Sequence, residues 1–419
     1  MGLNETPSGE RVHIGFFGLR NAGKSSVVNA VTGQELAIVS DVRGTTTDPV
    51  KRAMELLPLG PVVIVDTPGV DDEGALGEAR VARALRALAS CDVAVLVVDG
   101  ERGLSEKDRE LLAAFRERRV PSVLAWNKCD LPAARDALAG LGRREPELAA
   151  SAVAVSALTG EGVRELKERI AALGAPGGRE RRVVADLVAP GSVVVLVCPI
   201  DASAPRGRLI LPQQMTIRDL LDGGCLPVVC RETELPAALA SLSGPPALVV
   251  TDSQVFDQVA RVVPEGVPLT SFSILMLRYK ADLVEAVRGA AALDRLHDGD
   301  AVLISEGCAH HRQCEDIGTV KMPAWLAAHT GASLELSFTS GADFPEDLTR
   351  YAAVVHCGGC TLNAREMRSR QDRAARQGVP MTNYGVAIAH MHGILRRSLA
   401  PFPEALAALG EQTPAGVMG

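Results

Sequence analysis

Short apolar runs separated by helical stretches organise the chain. In the first part, residues 12–18, 62–65, 91–99, 123–126 and 152–155 have the length and β-branched content of buried strands, and 105–118 has helical spacing. Strands that are apolar along their whole length and alternate with helices predict a parallel sheet covered on both faces. Residues 174–182 combine Gly, Pro and charge, the composition of a boundary, and the pattern then restarts. Beyond it, 193–198, 226–230 and 247–251 read as strands, alternating with helical patterns at 216–221, 235–242 and 253–262. A third set begins near residue 272 and includes strands at 301–305 and 354–355. The expected fold class is α/β: an N-terminal nucleotide-binding domain over 1–175, then two smaller α/β domains with parallel sheets over 182–270 and 272–410.

The first strand runs directly into Gly18-Leu19-Arg20-Asn21-Ala22-Gly23-Lys24-Ser25-Ser26, a phosphate loop in its required strand–loop–helix setting. Gly18 and Gly23 let the backbone curl so that its N–H groups, among them those of Asn21, Ala22 and Ser26, face phosphate oxygens. Lys24 supplies a point charge and Ser25 a hydroxyl for Mg²⁺. Downstream, Gly44-Thr45-Thr46-Thr47-Asp48 is a hydroxyl-rich loop in which Thr46 is the expected second Mg²⁺ hydroxyl, with Thr45 beside it. Asp66-Thr67-Pro68-Gly69 ends a strand, so that Asp66 can hold a metal-bound water and the Gly69 N–H can meet the γ-phosphate.

Asn127-Lys128-Cys129-Asp130 closes a further strand. A carboxylate at Asp130 pairs with two N–H groups of guanine and would be left unpaired by adenine, so a guanine nucleotide is expected. Ser156-Ala157-Leu158 adds a backbone contact to the base. These five ordered elements resemble the TRAFAC-type, translation-factor-like GTPases over roughly 11–173, which makes the first domain a P-loop GTPase domain. Val70 follows Gly69 where small signalling GTPases carry a water-orienting Gln. The segment 71–78 then offers acidic groups, and spacing like that of a tRNA-modification GTPase singles out Glu78. The expected catalytic set is Lys24, Thr46, Asp66, Gly69 and Glu78. Asn21 admits two readings, a ligand of an activating K⁺ or a side chain that closes the turn.

The totals narrow the class. The 419 residues exceed a single core, and 47% hydrophobic content arrives in runs far shorter than a membrane span. A formal charge of -7 with 3% aromatics argues against a general nucleic-acid surface. With no secretory pattern at the N-terminus, the nine cysteines read as reduced thiols of a cytoplasmic protein, some of them metal ligands. Cys198, Cys225 and Cys230 lack ligand spacing and read as core or loop thiols. The sheet that carries them, with free edges, is a candidate for joining subunits.

The remaining chemistry lies in two half-sites at strand ends, Glu306-Gly307-Cys308-Ala309-His310-His311-Arg312-Gln313-Cys314 and His356-Cys357-Gly358-Gly359-Cys360. Their residue types permit a structural zinc held by Cys308, His310, Cys357 and Cys360, an iron–sulfur cluster with three thiolates and a replaceable ligand, or unmetallated thiols. His310, His356 and Glu306 are candidates for the fourth position, His310 equally for orienting a ligand, and His311 and Cys314 crowd the first half-site.

With a GTPase-like domain in front, Gly207-Arg208-Leu209-Ile210-Leu211-Pro212, Thr216-Ile217-Arg218-Asp219-Leu220-Leu221, Asn363-Ala364-Arg365-Glu366-Met367 and Thr382-Asn383-Tyr384-Gly385 accompany these half-sites. Over essentially its whole length the chain resembles the HydF family, the maturation GTPases of iron-iron hydrogenases. The resemblance implies GTP/GDP and Mg²⁺ in the first domain, a dimerising middle domain, and a 4Fe-4S cluster on Cys308, Cys357 and Cys360. It also implies a scaffold that carries a transient diiron subcluster precursor, with HydE-like and HydG-like radical-SAM maturases and apo iron-iron hydrogenase as partners and no membrane or nucleic acid. The competing expectation is a zinc-stabilised GTPase acting in tRNA modification or ribosome assembly.

Overall fold

The structure, a computed structural model, describes residues 6–33, 50–67, 75–174, 181–200, 209–307, 317–341 and 343–411, except the side chains of 50, 75–80 and 411. The chain divides into two compact units, Met1–Arg179 and Glu180–Gly419.

The first unit is built on a six-stranded sheet. Its strands are β1 (Val12–Phe17), β2 (Val50–Leu56), β3 (Gly60–Asp66), β4 (Val93–Asp99), β5 (Ser122–Asn127) and β6 (Ala152–Ala154), in the order β2-β3-β1-β4-β5-β6. All neighbours are parallel except β2 against β3. Strand β4 is buried at all seven positions, as its continuous apolar run requires. Side chains on alternate positions feed two cores. Phe17, Val63, Val65, Leu96 and Trp126 pack under one layer of helices, and Ile14, Phe16, Val62, Ile64 and Val95 under the other. Helix Glu106–Glu117 begins at Ser105, whose side chain forms a reciprocal capping box with Asp108.

The second unit carries two four-stranded, wholly parallel sheets. One contains β7 (Val193–Val197), β8 (Leu226–Cys230), β9 (Leu248–Thr251) and β10 (Leu269–Ser271) in the order β10-β9-β7-β8. The other contains β11 (Ala301–Glu306), β12 (Glu335–Ser340), β13 (Ala353–His356) and β14 (Met381–Asn383) in the order β12-β11-β13-β14. Helices Phe272–Lys280 and Leu283–Ala290 are common ground: Ile274, Leu277 and Val287 share one core with Val194 and Leu196 of the first sheet and with Val386 and Leu399 near the C-terminus. Cys198 and Cys225 are buried and Cys230 is half-buried, so these three thiols are core and edge residues.

Four strands lie outside the apolar-run reading. Strand β2, Val-Lys-Arg-Ala-Met-Glu-Leu, mixes charged and apolar residues, as an edge strand can. Strand β12 is likewise an edge, while β10 and β14 are three residues long. Among the described residues no helix is long and apolar enough to cross a membrane.

Candidate functional site

In the first unit, β1 passes through residues 18–23 into helix Lys24–Thr32, whose N-terminus carries the positive end of the helix dipole. Gly18 has φ +148°, and a Cβ there would lie 2.4 Å from the Val97 carbonyl oxygen. Gly23, at φ +83°, would bring a Cβ within 2.2 Å of Asn127 Nδ2. Both glycines are thus demanded by close approach. Asn21 adopts φ +62°, a left-handed conformation that Asn tolerates better than most residues, so its loop-closing reading has a concrete basis.

Lys24 Nζ donates to the Thr67 carbonyl and lies 3.6 Å from Asp66 Oδ1. That carboxylate oxygen is buried and, among the described residues, accepts no hydrogen bond. Burial raises the Asp66 carboxyl above the ordinary carboxylate range, against the pull of Lys24. A buried oxygen left without a donor at the end of β3 fits the water shell of a Mg²⁺ ion, and the helix that starts at Lys24 also carries Ser25 and Ser26.

Base-side residues converge from three strand ends. Asn127 donates from Nδ2 to the Ala22 carbonyl at 3.0 Å and accepts at Oδ1 from the Ala157 N–H at 3.1 Å. It thereby clamps the phosphate loop to the 156–158 loop. Lys128 sits at φ +67° with Nζ 2.8 Å from Asp99 Oδ2. The Cys129 N–H donates to the Val155 carbonyl at 3.0 Å, which holds the partly exposed Asp130 beside buried Ser156. Thr45, Thr46, Gly69 and the side chain of Glu78 lie outside the described residues.

In the second unit, the adjacent parallel strands β11 and β13 place Glu306 and Gly307, the described start of the first half-site, beside the half-site 356–360. Ser305 stands opposite His356, and the Cys357 N–H donates to the Ser305 carbonyl at 2.9 Å. The Gly307 N–H donates to Cys357 Sγ at 3.0 Å and the Gly359 N–H to the same sulfur at 3.3 Å. Two backbone N–H donors thus converge on one sulfur. Gly307 immediately precedes Cys308, which with His310, His311 and Cys314 lies outside the described residues. Cys357 and Cys360 are both half-buried, and Glu306 accepts from the Tyr384 hydroxyl at 3.3 Å.

His356 is fully buried, and both of its ring nitrogens are engaged. Nδ1 is 2.8 Å from the Cys357 carbonyl oxygen and Nε2 is 3.0 Å from an Arg370 guanidinium nitrogen. These partners make Nδ1 the donor and Nε2 the acceptor. Burial and the Arg370 charge pull its pKa down to about 3, so the ring is neutral. As folded here it has no lone pair to offer a metal.

Two residues of this site gave no motif signal. Lys280, at the end of helix Phe272–Lys280, is fully buried, and its Nζ donates to the carbonyls of Gly359 at 3.3 Å, Cys360 at 3.0 Å and Leu362 at 2.7 Å. Arg370 is buried on helix Ala364–Arg376, where it bonds Glu366 and the Gly341 carbonyl as well as His356. The signal available for Arg370 was its place on the buried helical stripe Met367, Gln371, Ala374.

Comparison with known proteins divides the chain in three. Residues 13–128 match a family described as 50S ribosome-binding GTPase, 183–281 match the hydrogen maturase F dimerization domain, and 284–401 match the hydrogen maturase F tetramerization domain. Among curated relatives, the tRNA modification GTPase MnmE of Roseiflexus sp. is 38% identical over 175 residues, 40% of this chain and 37% of that protein. MnmE of Nitrosomonas europaea is 33% identical over 159 residues, 38% of this chain and 34% of that protein. The crystal structure of a point variant of Aquifex aeolicus Era bound to GDP·AlF4⁻ aligns with 20% identity and a TM-score of 0.36 over 55% of this chain and 98% of that chain. The chain therefore spans about a third of the length of these MnmE relatives.

Proposed function

Because the chain belongs to the hydrogen maturase F family, we propose that it couples GTP hydrolysis in its first unit to an iron–sulfur scaffold in its second, assembling and delivering the diiron subcluster precursor to apo iron-iron hydrogenase. One observation carries the scaffold half: Gly307 and Gly359 both aim N–H groups at Cys357 Sγ, at 3.0 and 3.3 Å.

The chain is a GTPase, and its residues act by position and charge. The helix that begins at Lys24 and the left-handed turn of the phosphate loop present N–H groups to the phosphates, and Lys24, anchored beside Asp66, adds charge where it develops in the transition state. Ser25 and Thr46 would hold Mg²⁺, with Asp66 on its water shell, and the ion would supply neutralisation of the phosphoryl oxygens. Asp130 selects guanine, with Asn127 fixing both loops around the base and Ser156 and Ala157 bordering it. Thr46 and the Gly69 N–H are the proposed γ-phosphate contacts, whose loss after hydrolysis would switch the unit, and Glu78 is the proposed group for the attacking water.

Cys308, Cys357 and Cys360 would hold a 4Fe-4S cluster, whose fourth iron position offers the precursor a replaceable site. With both His356 nitrogens occupied, that position falls to His310, to Glu306 or to the cargo itself. His356 fixes the Cys357 carbonyl instead. The domain model over 183–281 and that over 284–401 describe an oligomer, which we read as a homodimer through the middle domain. The radical-SAM maturases and the apo-hydrogenase are its partners in the cytoplasm, and K⁺ at Asn21 would accelerate hydrolysis.

Anaerobic reconstitution followed by EPR and by iron, sulfide and zinc analysis tests this function. About four irons and a reducible signal are expected, lost in Cys357→Ser while GTP turnover is retained. Zinc without a reducible cluster would overturn the scaffold reading and favour a zinc-stabilised GTPase of the tRNA-modification kind. Equal GTPase rates in KCl and NaCl would remove K⁺.

A further inference from the structure

Within residues 284–401, three side chains from three separate elements meet at one point. Asp294 lies in the turn Leu293–Arg295, His329 in the last turn of helix Met322–Thr330 and His390 in the last turn of helix Tyr384–Met391. His329 Nε2 is 2.7 Å and His390 Nε2 is 2.8 Å from the same oxygen, Asp294 Oδ1. The two imidazole rings stand edge to face with centroids 5.5 Å apart, and the three ligand atoms all lie within 4.8 Å of one another.

The backbone beneath these groups is firmly set. Leu293, Leu326 and Ile388, neighbours of the three residues on the same elements, are buried together in one core. The side chains themselves reach the surface: Asp294 is 51% exposed, His329 22% and His390 16%. Both histidines also sit where helix carbonyls point, so the local field favours a cation.

We propose that Asp294, His329 and His390 form a binding site for a divalent transition-metal ion of the Zn²⁺ or Fe²⁺ type, with its remaining positions open to water. Two imidazoles and one carboxylate on one face of the ion is a donor set suited to such metals. Each ring binds through Nε2 by carrying its proton on Nδ1, so neither ring changes charge. Donor atoms around a tetrahedral ion stand roughly 3.3 Å apart for metal–ligand lengths near 2.0 Å, so each of the two Asp294–His pairs, at 2.7 and 2.8 Å, needs to open by only about half an ångström. The site is independent of the cysteine cluster: no sulfur takes part.

The test uses the full-length, cluster-reconstituted protein saturated with Mg²⁺ and GDP, titrated with Co²⁺ and then Zn²⁺. One equivalent of Co²⁺ beyond the cluster iron is expected, with visible ligand-field bands and no thiolate-to-metal charge transfer, and Zn²⁺ should displace it. His329→Ala and His390→Ala should each weaken binding by at least about tenfold, and Asp294→Asn should weaken it while keeping the shape of the site. Unchanged GTP turnover and cluster content in these variants would locate the effect. No metal beyond cluster iron and Mg²⁺, a charge-transfer band from sulfur, or binding indifferent to all three substitutions would overturn the proposal. Should a histidine variant fail to fold, X-ray absorption of the zinc-loaded wild type decides: nitrogen and oxygen neighbours alone support the site, and sulfur neighbours refute it.

Discussion

Lys280 Nζ lies 3.0 Å from the carbonyl oxygen of Cys360, although the two residues are 80 positions apart in the chain. The same nitrogen also reaches the carbonyls of Gly359 and Leu362, so a single buried side chain fixes the whole turn that carries the second cysteine half-site. Replacing it with Met would remove a donor from three carbonyls, of which that of Gly359 keeps the Leu362 N–H. Lys280→Met should lower stability by about 2–4 kcal/mol and should reduce cluster content more than GTP turnover. Urea unfolding and iron analysis on one preparation check both; a variant with wild-type iron content would show that the turn holds itself.

Asn127 performs the corresponding task in the first unit, bridging Ala22 to Ala157. In Asn127→Ala both backbone groups lose their partner, and loop and base pocket separate. Guanine-nucleotide affinity should fall about 10- to 100-fold, the equivalent of roughly 1.4–2.8 kcal/mol. Fluorescent-GDP titration measures it, with the melting temperature of the nucleotide-free protein as control.

Asn127 and Lys280 also mark what the sequence does and does not reveal. Asn127 belongs to a local tetrapeptide at the end of a strand, so its type and spacing are informative by themselves. The phosphate loop is legible for the same reason, as is β4, which is apolar at six of seven positions. Lys280 ends a helix that is otherwise mostly apolar, and nothing near it in sequence points to residues 359–362. Arg370 is similar: its partners His356 and Gly341 are 14 and 29 residues away. His356 is one of three candidates for the fourth ligand from its place beside Cys357, yet the fold turns its ring inward to Arg370. Contacts that cross between elements depend on strand order, and strand order is set by packing that no short motif records.

Thiol chemistry separates the structural cysteines from the cluster pair. Burial, with lesser contributions from Asp252 and Cys230, pushes the Cys198 thiol up to about 12. A thiol with its folded pKa above the unfolded value is destabilising only once the unfolded chain ionises, so this effect is absent below about pH 8.5 and grows as pH rises past it. At pH 8 the thiolate fraction of Cys198 is then on the order of 10⁻⁴. Iodoacetamide should leave Cys198 unmodified from pH 7 to 9 in the folded, cluster-free protein while labelling Cys357 and Cys360, as peptide mass analysis can show. Rapid Cys198 labelling at pH 8 would contradict its burial.

Strand β8 is the edge of its sheet and exposes apolar side chains, Leu226 at 57% and Val229 at 46%. The Leu226 N–H donates inward to the Ser192 carbonyl, and the Cys230 carbonyl accepts inward from Cys198. In a parallel pair the alternate residues, Pro227 and Val229, therefore turn their backbone groups to the open side. Pro227 has no N–H to give, which removes one donor and limits the registers that another strand could adopt. An exposed apolar edge within the segment matching a dimerization domain is a ready site for a second copy. A lysine at Val229 would place a charge in that contact, so Val229→Lys should raise the dimer dissociation constant by about 10- to 100-fold, measured by sedimentation equilibrium. Leu158→Lys, at an exposed position of the other unit, serves as the control and should leave assembly unchanged. If Val229→Lys assembles like the wild type, the dimer is made elsewhere than at β8.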